Sequence, residues 1–577
     1  MKKIIFVLIT LCCMLFNTSC EQIVKEVNMA DYIEADSLKS STFDATLAIR
    51  DALEYCKKNK VSKLVFPKAT YRVTPSYASE KYVFVSNNDA GLKAFLFDLT
   101  GVDGLEIEGN DSEFILEGFV CPFLLDNSKS VTIRNLKIDY KRPFHSEGVI
   151  VGSGKGYVDL TFSDEFPYEV RSEALRFKDA NGTVYPYGSL LEFNTEKRET
   201  EFKAFDRWLW KGALQAEKLS DDVVRVYEEG VVGRNGNIIV FGAANRLIPA
   251  FTISDSENVL LENINIYHCG GMGVIAQRTK DIELNKVFVS PRPDGGRMIS
   301  ATADATHFVN CSGYLRMIDC LFENQKDDAT NIHGIYAVID KIVSPTEIIV
   351  RLKHRQQHGF DFIKKGMTLE FEDSRSLISM GTRTVADVRR LNKETTLVTF
   401  TEAIPAEAKL KDPVANVDFF PEVLIQGCTI QNNRARGLLL GSRGKIVIDK
   451  NYFHTPGSAI LFEGDGYYWY EQSGVRDVTI TNNVFDNCNF GNDTWGIGCI
   501  GVGTRIDKDR ETSRYHRNIK VENNTFKIFD PCIAYLYCVD GFTFKNNKVE
   551  MSDKYEYVRD ETRRFAITTS DNITIEE

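Results

Sequence analysis

The tripeptide Asp-Ala-Thr occurs twice, at Asp304-Ala305-Thr306 and at Asp328-Ala329-Thr330, 24 residues apart. Asp327 precedes the second copy, and a histidine trails each one, His307 and His333. Three carboxyl groups brought close together repel one another, so their ionisation is coupled and one proton can be retained near neutral pH. A carboxylic acid beside a carboxylate supplies a general acid and a general base at once. Glycosidic bonds are hydrolysed by such a pair. An exposed acidic ladder or a calcium site would use the same residues, although calcium asks for six or more oxygen ligands. The histidines lack the paired spacing of a zinc site, so substrate hydrogen bonding is expected of them and no metal. Arg292 and Arg297 precede Asp304, and Arg434 and Arg436 follow further on. Arg436 lies as far beyond Val423 as Asp328 lies beyond Leu315. It is therefore expected above the aspartates, holding them ionised, binding sugar hydroxyls or forming a structural ion pair. Glu463 and Asp465 adjoin the aromatic run Tyr467-Tyr468-Trp469-Tyr470, and Trp495 follows. Sugar faces stack on such rings and sugar hydroxyls bond such acids; Glu463 and Trp495 are taken as substrate-binding candidates. Trp208 and Trp210 are expected in a core.

Positioning these residues requires a repeating scaffold. An alternating apolar phrase with Asn after it begins at Leu105, Val131, Val259, Ile282, Leu315, Val423, Ile446, Val478, Ile519 and Phe542. Later copies read VTITNNVF, IKVENNTF and FTFKNNKV, and several steps are 23 residues. Strand alternation at that step is one rung of a parallel β-helix; a propeller blade is about 40 residues or more. Asn at a corner tolerates left-handed backbone and can stack into ladders. The 24-residue separation then places Asp304 and Asp328 on adjacent rungs, about 5 Å apart at the backbone. Asp327 must point differently from Asp328 unless a bulge turns both outward.

The fold expected is all-β: a right-handed parallel β-helix with two inserted small antiparallel β-barrel domains. Residues 1–20 read as a lipoprotein-type signal peptide and 21–144 as an N-terminal cap and first rungs. Residues 145–245 form one insert, 246–334 the coil with the aspartates, 335–421 the second insert and 422–577 the last rungs. Thr42-Phe43-Asp44 and the apolar spacing from Ala48 to Cys56 predict a capped amphipathic helix plugging the open end of the coil. The 577 residues carry 70 basic and 81 acidic side chains, a net charge of −11 that disfavours nucleic acid as a partner. Lys2 and Lys3 precede an apolar run from Ile4 to Phe16, too short to span a membrane. Cys20 after Asn17-Thr18-Ser19 is the expected lipidation site, tethering a secreted chain to the bacterial cell envelope by its anchor alone. The ten cysteines from Cys56 to Cys538 contain no CxxC pair and are expected as small core residues.

The helix-plus-strand cap, the Asn-rich rungs, one Asp followed a rung later by Asp-Asp, and a trailing His-Gly resemble polysaccharide-active β-helix enzymes. With PRPDGG, ADATHFVNC and QKDDATNIHG between Pro291 and Gly334, the chain most resembles the α-1,3-galactosidases of glycoside hydrolase family 110. The resemblance covers nearly the whole mature chain. It implies an inverting, cofactor-free removal of terminal α-1,3-linked galactose, including that of blood group B antigens, from an oligosaccharide or glycoconjugate. It implies catalytic roles for Asp304, Asp327 and Asp328, with Asp327 or Asp328 as acid, and a possible homodimer. Two rivals share some of these features: a polygalacturonase-like β-helix hydrolase acting on pectin, and a non-catalytic glycan-binding β-helix.

Overall fold

The computed structural model describes residues 25–577 except 211, 230–232, 558 and 560–562. Cys20 and the signal segment lie outside the described residues. Val131, Val259, Ile282, Leu315, Val423, Ile446, Val478, Ile519 and Phe542 pair one above the next in a single parallel column. All nine are buried in one continuous core. The sequence phrase is thus the lumen-facing strand start of each rung. The step from Leu315 to Val423 is also one rung, although the second insert intervenes.

Two interactions stack the rungs. Asn482, Asn523 and Asn546 take left-handed backbone at the corners. The Asn that follows each of them turns inward: Asn451 donates to Asn483 at 2.9 Å, Asn483 to Asn524 at 2.9 Å and Asn524 to Asn547 at 3.0 Å. Each amide also donates to a backbone carbonyl of the rung before it, so this buried column is paired. Alongside it Phe453, Phe485 and Phe526 stack with centroids 5.1 and 4.5 Å apart. The helix Thr46–Asn59 buries Ile49, Ala52, Leu53 and Cys56 against the first rungs. The residue at its N-cap is Ala45, which makes no side-chain cap bond; Asp44, one residue earlier, accepts from the Thr46 amide at 3.1 Å and the Thr46 hydroxyl at 2.5 Å.

The first insert runs from strand Ser146–Gly154 to strand Ile238–Ala243. Its eleven strands pair antiparallel, nine in one run and two branching from it. The run curls until Phe177 meets Phe241, centroids 5.0 Å apart, and the Tyr187 hydroxyl donates to the Leu175 carbonyl at 3.0 Å. The second insert is a ring of six antiparallel strands. Its first strand, Thr330–Ser344, begins as a rung of the coil and ends in the barrel. One uninterrupted strand therefore ties the barrel to the residues just after Asp328. All ten described cysteines are buried and unbridged.

Candidate active site

Thr306 pairs with Thr330 and Thr330 with Leu438, so Asp304, Asp328 and Arg436 occupy equivalent places on three successive rungs. The strand Leu321–Glu323 ends at Asn324, whose left-handed backbone starts a bend that lasts to Ala329. Strand alternation does not apply within this bend, and both Asp327 and Asp328 reach the same pocket as Asp304.

Their surroundings differ. Arg436 grips Asp328 with Nε at 2.9 Å and Nη2 at 2.8 Å, and its backbone N–H adds a third bond at 3.1 Å. Asp327 accepts from Arg246 at 2.7 Å and from Arg434 at 2.5 Å. Asp304 has no arginine or lysine bonded to it among the described residues; its Oδ2 meets His307 Nδ1 at 2.6 Å. Burial, and next the charge of Asp327, push Asp304 up to about 8. Burial likewise pushes Asp328 up to about 7, against Arg436, with Asp327 and Asp304 adding to the rise. Asp327 moves the other way: burial is outweighed by Arg434 and Arg246, which draw it below the usual carboxyl range. The pocket therefore holds a protonated carboxyl and an ionised one at neutral pH, the two forms that acid–base hydrolysis needs.

The open face of a β-helix is a groove, and here it is walled. Arg246, just beyond the first insert, donates its backbone N–H to Asp89 at 2.7 Å. Asn87 donates its N–H to the Gln356 carbonyl of the second insert at 3.3 Å. Gln357 donates to the Trp469 carbonyl at 3.2 Å. Asn87, Arg246, Gln356, Trp469 and Glu471 thus line one continuous rim around the aspartates.

The same anatomy recurs in known protein families. The family model described as GLAA-B beta-barrel domain I matches residues 146–239, and that of GLAA-B beta-barrel domain II matches 347–414. A right-handed beta helix region matches 415–577. An alpha-1,3-galactosidase A of Shewanella woodyi is 36% identical over 89% of this chain and 84% of its own. An alpha-1,3-galactosidase A of Bacteroides fragilis is 30% identical over 88% and 85%. An alpha-1,3-galactosidase B of Bacteroides thetaiotaomicron is 29% identical over 89% and 85%. The chain belongs to glycoside hydrolase family 110.

In this family 110 hydrolase the other expected site residues divide. His307, Arg436 and Glu463 line the pocket, and His333 stands behind His307 with the ring nitrogens 2.9 Å apart. Burial raises Glu463 above its ordinary range, against Arg436 and Arg505. Trp495 does not line the pocket. The short turn Asp493–Trp495 folds its indole inward, 6% exposed, against Phe193, Val240 and Ala435, where it supports Arg434 from 5.6 Å. Trp469 from the aromatic run lines the pocket instead. Asp465 accepts the backbone N–H groups of Tyr467, Tyr468 and Trp469, so it shapes that loop. The expected burial of Trp208 and Trp210 is overturned: they are 57% and 93% exposed on the first insert. Arg292 and Arg297 pair with Asp139, and Arg297 also with Glu165 of the first insert, away from the pocket.

Arg246, Asn87, Gln356 and Glu471 had no signal in the sequence, because each reaches the pocket from a different loop. Asp206 was equally silent. It comes from the first insert, bonds Arg434 at 2.5 Å and stands 3.5 Å from Lys326. It thereby fixes the guanidinium that holds Asp327.

Proposed function

We propose that this enzyme is an exo-acting α-1,3-galactosidase that removes terminal α-1,3-linked galactose with inversion, using Asp304, Asp327 and Asp328. The observation that carries the reading is the convergence of three unequally protonated carboxyl groups in a walled pocket. A groove would admit the middle of a polysaccharide, whereas a pocket rimmed by Asn87, Arg246, Gln356, Trp469 and Glu471 suits one terminal sugar. The relatives named alpha-1,3-galactosidase support the choice of galactose and linkage. Arg246, Arg436, Glu463 and Glu471 offer donors and acceptors for its hydroxyls, and Trp469 offers an aromatic face. Inversion places acid and base about 6.5–9.5 Å apart, with water between base and sugar.

The test is incubation with linear α-1,3-galactobiose, branched group B trisaccharide and polygalacturonate. Galactose released from either of the first two, and no reducing ends from the third, is expected. The opposite pattern would make the enzyme a pectin hydrolase. Single Asn replacements at Asp304, Asp327 and Asp328 should each lower kcat/KM by at least about a hundredfold. The same proposal places the enzyme in the cell envelope through acylated Cys20; a Cys20→Ser chain that still labels with palmitate would remove that part.

A further inference from the structure

Four groups stand in a row that runs from the pocket inward: Asp304 and His307 line it, and His333 and the Gly334 carbonyl lie behind them. His333 Nδ1 is 2.7 Å from the Gly334 carbonyl oxygen. His333 Nε2 is 2.9 Å from His307 Nε2, and His307 Nδ1 is 2.6 Å from Asp304 Oδ2. A carbonyl oxygen only accepts, so His333 Nδ1 carries a hydrogen. A neutral imidazole then leaves Nε2 bare. Two facing ring nitrogens need one hydrogen between them, so His307 Nε2 donates. His307 Nδ1 is left as an acceptor, and the hydrogen in its contact with Asp304 comes from the carboxyl. The alternatives are a His307 imidazolium, or a His333 imidazolium donating to a His307 that donates in turn, each opposite an Asp304 carboxylate. Both rings are buried, His333 at 5% exposed, and a cation in either place is costly. His307 is 1% exposed, and burial together with His333 and Arg246 disfavours a cation there. Asp327, Asp328, Arg246, Arg436 and Glu471 are the other charged groups around the row. Glu471 lies 3.7 Å from His333 Nε2, too far to supply or take that hydrogen. Gly334 is fixed by strand pairing with Gln472, and a Cβ there would overlap the Gln472 side chain.

We propose that the Gly334 carbonyl, acting through the tautomers of His333 and His307, holds a proton on Asp304. The two histidines are then positioning residues: they set which form of Asp304 faces the pocket, without touching substrate chemistry themselves. The kinetic part of this inference rests on the hydrolytic reading above; the tautomers do not.

Nitrogen-15 NMR of the full enzyme labelled at histidine reads the row directly. At pH 7, His307 should be neutral with hydrogen on Nε2, and His333 neutral with hydrogen on Nδ1. A His307 doubly protonated, or protonated on Nδ1 alone, overturns the proposal. His333→Leu removes the acceptor and frees His307 to donate through Nδ1 to an ionised Asp304. The alkaline limb of kcat/KM should then move down by about one to two pH units. An unmoved limb in a folded His333→Leu enzyme also overturns it. Absence of galactosidase activity in the unaltered enzyme would refute the proposed function alone, since the NMR result stands apart from it.

Discussion

Replacing Asp304 with Asn should make the protein more stable while disabling it, and the gain should grow with pH. In the native state Asp304 is 3% exposed and its proton is retained to about pH 8, against 3.8 for an ordinary aspartate. The raised value means that the native state binds a proton the unfolded chain has already lost. Its contribution to stability is full below about pH 4 and is lost progressively as pH rises to about 8. Each pH unit in that window costs the unaltered protein about 1.4 kcal/mol, so pH 5 to 7 costs about 3 kcal/mol. Sharing of the proton with Asp328 makes that an upper figure. The asparagine of the variant has no such cost, and its amide can donate to His307 Nδ1 as the neutral acid does. Melting temperatures of both proteins, measured from pH 5 to 9, are the assay. The gap in favour of Asp304→Asn should widen up to about pH 8 and then level off. A gap that is constant, or that narrows as pH rises, would refute the protonated state assigned to Asp304.

The other predictions concern the same pocket and the coil beneath it. The kcat/KM of the unaltered enzyme should fall above about pH 8 as Asp304 ionises; a pH–rate profile still climbing at pH 9 would oppose this. Arg436→Met leaves the buried Asp328 without its bidentate partner and should cost about 3–5 kcal/mol, read as a lower denaturation midpoint together with lost activity. Asn483→Ala breaks the ladder at its centre, leaving the Asn451 backbone N–H and one hydrogen of its side-chain amide without their acceptor, and should cost about 1–3 kcal/mol. KM should stay unchanged in that variant, because no residue of the ladder lines the pocket; thermal melts and kinetics together check it.

The coil was legible because its rule is local and repeated. Every phrase start from Val131 to Phe542 falls in one hydrogen-bonded column, and the inward Asn of each later copy joins the ladder. The stacking of Asp304, Asp328 and Arg436 followed from the same count of residues. What the count could not supply was direction. Asp327 and Asp328 share the pocket because Asn324 breaks the strand alternation, a backbone choice that Asn permits but does not announce. The rim was also hidden, since Asn87, Arg246 and Gln356 come from segments far apart in the chain. Aromatic residues misled in both directions: Trp495 packs inside and Trp210 stands in solvent. An indole in a loop carries no period from which its burial could be read.

The most direct test of the account is the anomeric form of the first product. Proton NMR during hydrolysis of α-1,3-galactobiose should show β-galactose first, with α-galactose growing in only by mutarotation. Initial release of α-galactose, or no release of galactose at all, would contradict it.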